Sequence, residues 1–108
     1  MSRVKHQVDM QAFETVATVL SAISSPLEMR LFLKEMLTPG EVLDITLRWK
    51  LLELLADGMS QRKIAEELKI SLCKITRGSK ILKQKGAVTA RVLKSWQQNK
   101  VAEKGESR

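Results

Sequence analysis

The chain has 108 residues, 44% of them hydrophobic and 29% charged, which is enough for one folded domain and excludes a fibrous repeat or a wholly disordered chain. Its formal net charge of +7 is unevenly held: residues 1–59 carry six basic and eight acidic side chains, whereas residues 60–100 carry eleven basic ones against Glu66 and Glu67 alone. No uncharged stretch approaches the ~20 apolar residues of a membrane span, and a single cysteine and a single histidine leave no His/Cys metal site.

Residues 1–7, His6 among them, are expected to form a flexible tail without the apolar stretch of a secretory signal, so a cytoplasmic protein is expected. From Val8 to Ile23, apolar residues recur at threes and fours (Phe13, Val16, Ala17, Val19, Leu20), which predicts an amphipathic helix ended by Ser24-Ser25-Pro26. A second helix starts behind a Ser25 cap with Pro26 in its first turn. Thr38-Pro39-Gly40-Glu41 repeats that start signal and adds a capping box, so a third helix begins there. It runs through Val42, Ile45, Leu47, Leu51, Leu52, Leu54 and Leu55, a pattern that predicts extensive burial, and stops at Asp57-Gly58.

Ser60 opens a short fourth helix ending at Leu68, and Ser71 caps a fifth that spans about Leu72–Gln84 and is closed by Gly86. A sixth covers about Val88–Asn99, with a flexible charged tail expected over 100–108. Nothing alternates as a strand would, so the fold is expected to be all-α with six helices, residues 8–99 forming a helical core and 60–84 its functional part.

Those residues carry the most specific signal. Two helices joined by Lys69-Ile70-Ser71 have small or branched apolar residues where a helix-turn-helix needs them: Ala65 at the close approach, Leu68 and Ile70 plugging the turn, Ile64 and Ile75 inward. Lys69 stands where positive φ is usual and glycine is favoured, a cost of about 1–2 kcal/mol for a lysine. With the inner side so assigned, Ser71, Leu72, Cys73, Thr76, Arg77 and Lys80 fall on the outer face, where they suit phosphates, base edges or thymine methyls. The plain alternative is a helical hairpin within a bundle, its lysines serving only solubility. A basic helix over 80–100 docked on an anionic surface is a further alternative, but little apolar bulk besides Trp96 supports it. No nucleophile–base–orienter set is present, and Gly78-Ser79-Lys80 is not a phosphate loop, so an enzyme is not expected.

Four segments, in order, resemble the tryptophan repressor family: Met36-Leu37-Thr38-Pro39-Gly40-Glu41, Leu47-Arg48-Trp49-Lys50-Leu51-Leu52, Met59-Ser60-Gln61-Arg62, and Ile75-Thr76-Arg77-Gly78-Ser79 continuing to Leu82-Lys83. The resemblance spans about 35–83. It implies an interwound homodimer that represses transcription by binding a double-stranded DNA operator when L-tryptophan, a small-molecule corepressor rather than a cofactor, is bound. It implies a ligand held between Arg48 and Arg77, with Leu37, Thr38, Gly78 and Ile81 also at the site and the carbonyls of Glu35 and Leu37 facing the ligand ammonium. It also implies DNA contacts from Gln61, Arg62, Thr76 and Lys83, with Lys74 standing in for a threonine as a phosphate contact.

Residue chemistry alone leaves other roles open. Arg48 can pair with Asp44 one turn earlier, and Thr38 is accounted for as a cap. Ile81 replaces a pocket serine, Glu35 replaces a leucine, and the stretch before Met59 is one residue shorter than in the family's best-known member. A ligand-independent helix-turn-helix protein, either a regulator or one like the DNA-binding domain of the replication initiator, is the alternative these departures keep open.

Overall fold

A computed structural model describes residues 7–106, with side-chain environments through Lys100. The described residues form six helices and no strand: α1 (Met10–Ala22), α2 (Pro26–Met36), α3 (Pro39–Ala56), α4 (Gln61–Leu68), α5 (Leu72–Lys83) and α6 (Val88–Glu106). Two compact units divide the chain, one ending at Val42 and the other beginning at Leu43.

Helix starts in the first unit follow local chemistry. Asp9 caps α1, its carboxylate accepting from the Gln11 and Ala12 amides at 3.0 and 3.2 Å, which places Val8 just before the helix instead of within it. Ser25 caps α2 with Pro26 in the first turn. At the head of α3 the capping box is reciprocal: the Glu41 amide donates to Thr38 Oγ1 at 3.1 Å and the Thr38 amide donates to Glu41 Oε1 at 2.9 Å. Neither α1 nor α2 has a fully buried residue, and Met10, Phe13, Leu27 and Leu31 are each more than half exposed.

The second unit is organised around Leu51, Ile64 and Ile75, which are 3%, 0% and 0% exposed, with Leu52, Leu54, Leu55, Met59, Ala65, Leu68 and Ile70 packed against them. The burial expected along α3 is thus only partly realised. Leu51 alone is fully buried, its leucine neighbours are half-buried, and Ile45 is 51% exposed. Apolar residues occupy most of the circumference of α3, and the elements of one chain cannot cover all of it.

Helix α6 packs against α5 with Leu93 2% exposed, and its Trp96 indole N–H donates to Glu53 Oε2 of α3 at 3.1 Å. It continues to Glu106, past the expected stop at Asn99, so the expected tail over 100–108 is corrected to helix as far as residue 106. The added segment contains no proline, and Val101, Ala102, Glu103 and Lys104 each extend an existing helix at little cost, with Gly105 the one unfavourable residue at about 1 kcal/mol. Residues 1–6 and 107–108, which hold His6 and most of the expected N-terminal tail, lie outside the described residues.

Between α4 and α5 the chain turns at Lys69, which has φ 56° and ψ 48° and is the one non-glycine residue with positive φ among those described. Replacing Lys69 with glycine removes about 1–2 kcal/mol of left-handed strain and adds up to about 1 kcal/mol of unfolded-chain entropy. Lys69→Gly is therefore expected to raise stability by roughly 0.5–1 kcal/mol in urea denaturation, and a loss of stability would contradict this account of the turn.

Candidate functional site

Helices α4 and α5 present a continuous polar and basic surface. Ser60 caps α4, its hydroxyl accepting from the Lys63 amide at 3.2 Å, and Ser71 caps α5 in the same way from the Lys74 amide at 3.4 Å. Arg62 and Lys63 at the start of α4 are exposed. Along α5 the residues Leu72, Cys73, Lys74, Thr76, Arg77, Lys80 and Lys83 are exposed, as is Ser71 before it, whereas Ile75, Gly78 and Ser79 are buried. One interaction ties the two helices together on this surface: the Thr76 hydroxyl donates to Gln61 Oε1 at 3.1 Å, across fifteen residues of sequence. Gln61 and Thr76 are therefore held together on this surface. No acidic residue lies on α5 itself, and Asp44 of α3 borders a recess with Lys74.

Helix α5 meets α3 at Gly78. A β-carbon built there would stand 2.5 Å from Leu51 Cδ1, 3.4 Å from Leu52 Cδ2 and 3.5 Å from Leu55 Cδ1. The absence of a side chain leaves room for the leucine side chains of α3 to pack directly on the α5 backbone, and a recess lies beside this contact. Arg48, Leu51 and Leu52 of α3, Lys74, Arg77, Gly78 and Ile81 of α5, and Thr89 in the first turn of α6 line a cavity of about 380 Å³. Both helices contribute one stripe: 48, 51 and 52 on α3, and 74, 77, 78 and 81 on α5, the spacing of residues that share a helix face.

Of the residues singled out for ligand contact, Arg48, Arg77, Gly78 and Ile81 thus border a common space. Leu37 and Thr38 belong to the first unit, where Leu37 is half-buried at the end of α2 and Thr38 takes part in the capping box. Sequence reasoning missed Leu51, Leu52 and Thr89 as lining residues and read Lys74 only as a DNA contact. The spacing 74, 77, 78, 81 was a signal for Lys74, whereas Thr89 enters from another helix and had none. Arg48 and Lys74 also border a recess of about 50 Å³ that includes Asp44.

The chain matches the protein family described as Trp repressor protein over residues 11–97. It belongs to the Trp repressor family. Trp operon repressor homologs from Xylella fastidiosa strains M23 and 9a5c are each 40% identical over 70 residues, covering 64% of this chain and 76% of theirs. No solved structure matches the chain. Membership agrees with the all-helical architecture. Among the described residues no helix is long and apolar enough to cross a membrane.

The Gly78 contact gives a direct prediction. Alanine improves helix propensity by about 1 kcal/mol over glycine, but forcing a methyl group against the buried Leu51 costs roughly 1–3 kcal/mol. Gly78→Ala is expected to lower stability by about 1 kcal/mol in urea denaturation, and a variant more stable than the parent would show that the helices are free to separate.

Proposed function

We propose that this member of the Trp repressor family is a transcriptional repressor that binds operator DNA as a homodimer in the cytoplasm, gated by a small aromatic corepressor of which L-tryptophan is the first candidate. The observation that carries the reading is the double use of α5. Its exposed face bears Thr76, Lys80 and Lys83, while its residues Arg77, Gly78 and Ile81 border the 380 Å³ cavity against α3. That volume lies at the small end of the ~300–1,000 Å³ of ligand sites, a fit for a compound of amino-acid size. A planar guanidinium can stack on an indole face and pair with a carboxylate, so Arg48 and Arg77 suit tryptophan at both ends.

In this reading α5 enters the major groove, with Ser71, Leu72, Cys73 and Thr76 toward base edges and Gln61, Arg62, Lys74, Lys80 and Lys83 toward phosphates. Ligand occupancy favours the set of α5 positions that fits the operator, and it does so only as far as the ligand binds that set more tightly. The homodimer is supported by the exposed apolar residues of α1 and α2, together with Ile45, Val88 and Val92, each more than half exposed. Apolar surface on this scale in so small a chain is ordinarily covered by a partner.

Fluorescence anisotropy on a labelled promoter fragment of a tryptophan-biosynthesis operon, at fixed salt, tests the proposal. Binding is expected to tighten when about 1 mM L-tryptophan is added, a concentration above typical small-ligand affinities. Equal binding with and without it favours a ligand-independent regulator, and absence of binding in both cases rejects the operator assignment. Arg62→Ala is expected to weaken binding and to reduce the salt slope by about one unit per lost phosphate contact, and an unchanged affinity and slope would remove Arg62 from the interface. Arg77→Ala is expected to abolish the response to tryptophan. If it abolishes ligand-free binding as well, Arg77 belongs to the DNA surface.

A further inference from the structure

Positive charge does not end with α5. Between Glu67 and Glu103 the sequence holds nine lysines and arginines and no acidic residue. Four of the nine lie beyond Lys83, all exposed: Lys85 in the turn between α5 and α6, and Arg91, Lys94 and Lys100 on α6.

Helix α6 sorts its side chains by flank. Leu93 is 2% exposed and points inward. Val88, Val92 and Trp96, spaced by four, form an exposed apolar flank, and the two valines border a cavity of about 300 Å³ with Ile45, Trp49 and Leu52 of α3. Arg91, Lys94 and Gln98, at helical spacing, occupy the other flank. On that flank Lys94 shares a recess of about 350 Å³ with Lys83 of α5, walled by Leu55, Leu82 and Leu93, and none of its lining residues is acidic.

We propose that Arg91 and Lys94, with Lys85, form a second phosphate-binding stripe that carries the DNA interface past α5 onto the backbone of the same duplex. The inference rests on α5 being the DNA-binding helix, and continuity supports it: Lys83 belongs both to the exposed face of α5 and to the recess that holds Lys94. In the homodimer reading a second copy covers the apolar flank of α6, which leaves the basic flank free. Duplex DNA is favoured over a membrane surface because the basic flank offers no apolar side chain for insertion among lipids. Contacts from lysine and arginine to phosphates release counterions and carry no direct sequence information, so the stripe adds affinity and salt dependence without discriminating bases.

The test is fluorescence anisotropy of the full-length protein across a salt series on two labelled duplexes, the promoter fragment and an unrelated sequence. Both are about 40 base pairs, longer than two half-sites one helical turn apart. The double variant Arg91→Gln, Lys94→Gln is expected to bind both duplexes at least about fivefold more weakly at low salt. Its salt slope is expected to fall by about two units per bound protomer, since each phosphate contact contributes about 0.9. Lys100→Gln removes a charge that borders a different recess, beside Glu53 and Asp57, and is expected to leave the slope unchanged. Both variants are expected to keep the circular dichroism spectrum of the parent. An unchanged slope in the double variant would overturn the stripe while leaving α5 as the DNA-binding helix. An equal loss per charge in Lys100→Gln would show that net charge and not position sets the affinity, and would overturn it as well. If the parent binds neither duplex, the DNA-binding reading is rejected and this inference with it.

Discussion

The approach of Gly78 to Leu51 is the contact on which the rest of the second unit depends. Leu51 is almost fully buried, and a side chain at position 78 would have to displace it. Once these two positions meet, their neighbours follow from helix geometry. Arg48 lies one turn before Leu51 on α3, Arg77 adjoins Gly78 on α5, and Lys74 and Ile81 extend that stripe one turn to either side. A single close contact, which glycine permits despite its poor helix propensity, thereby gathers the cations and the apolar wall of one cavity.

Helix α5 carries opposing demands on a short stretch of chain. Ile75 and Gly78 hold it to the core, Thr76 links it to Gln61 of α4, and its exposed lysines and Arg77 are available to partners. A helix of twelve residues is marginal alone, so its position is set by packing and not by its own stability. Anything that changes the packing on its α3 side is felt on its outer face. For the proposed repressor this supplies a physical basis for coupling a small ligand to DNA, with Arg77 placed both in the cavity wall and among the exposed residues of α5.

Much of this arrangement was legible in the sequence because it rests on local chemistry. Ser25, Thr38 with Glu41, Ser60 and Ser71 announce helix starts, and Lys69 adopts the left-handed conformation that the turn spacing requires. The inward set of Ile64 and Ile75 could be read from helical periodicity, and so could the outward set from Ser71 to Lys80. Features that depend on tertiary neighbours were less visible. The capping role of Asp9 was hidden behind Val8, whose place in the apolar pattern suggested an earlier start. The extent of α6 escaped because no proline or clear cap marks its end, and a polar composition resembles a tail whether or not it is helical. Burial along α3 was overestimated because periodicity shows which residues seek cover and not whether one chain supplies it. Thr89 reaches the cavity from a separate helix, a juxtaposition that no local spacing encodes.

The central claim, that the cavity and the outer face of α5 communicate, has a thermodynamic signature independent of any structure. If a ligand strengthens DNA binding by some factor, DNA must strengthen ligand binding by the same factor. The direct measurement is calorimetric titration of L-tryptophan into the protein alone and into the protein saturated with the promoter fragment. The account predicts a lower Kd on DNA, by the ratio in which tryptophan lowers the Kd for DNA. The same ligand Kd with and without DNA would contradict it, leaving a cavity and a DNA surface that share a helix without exchanging free energy.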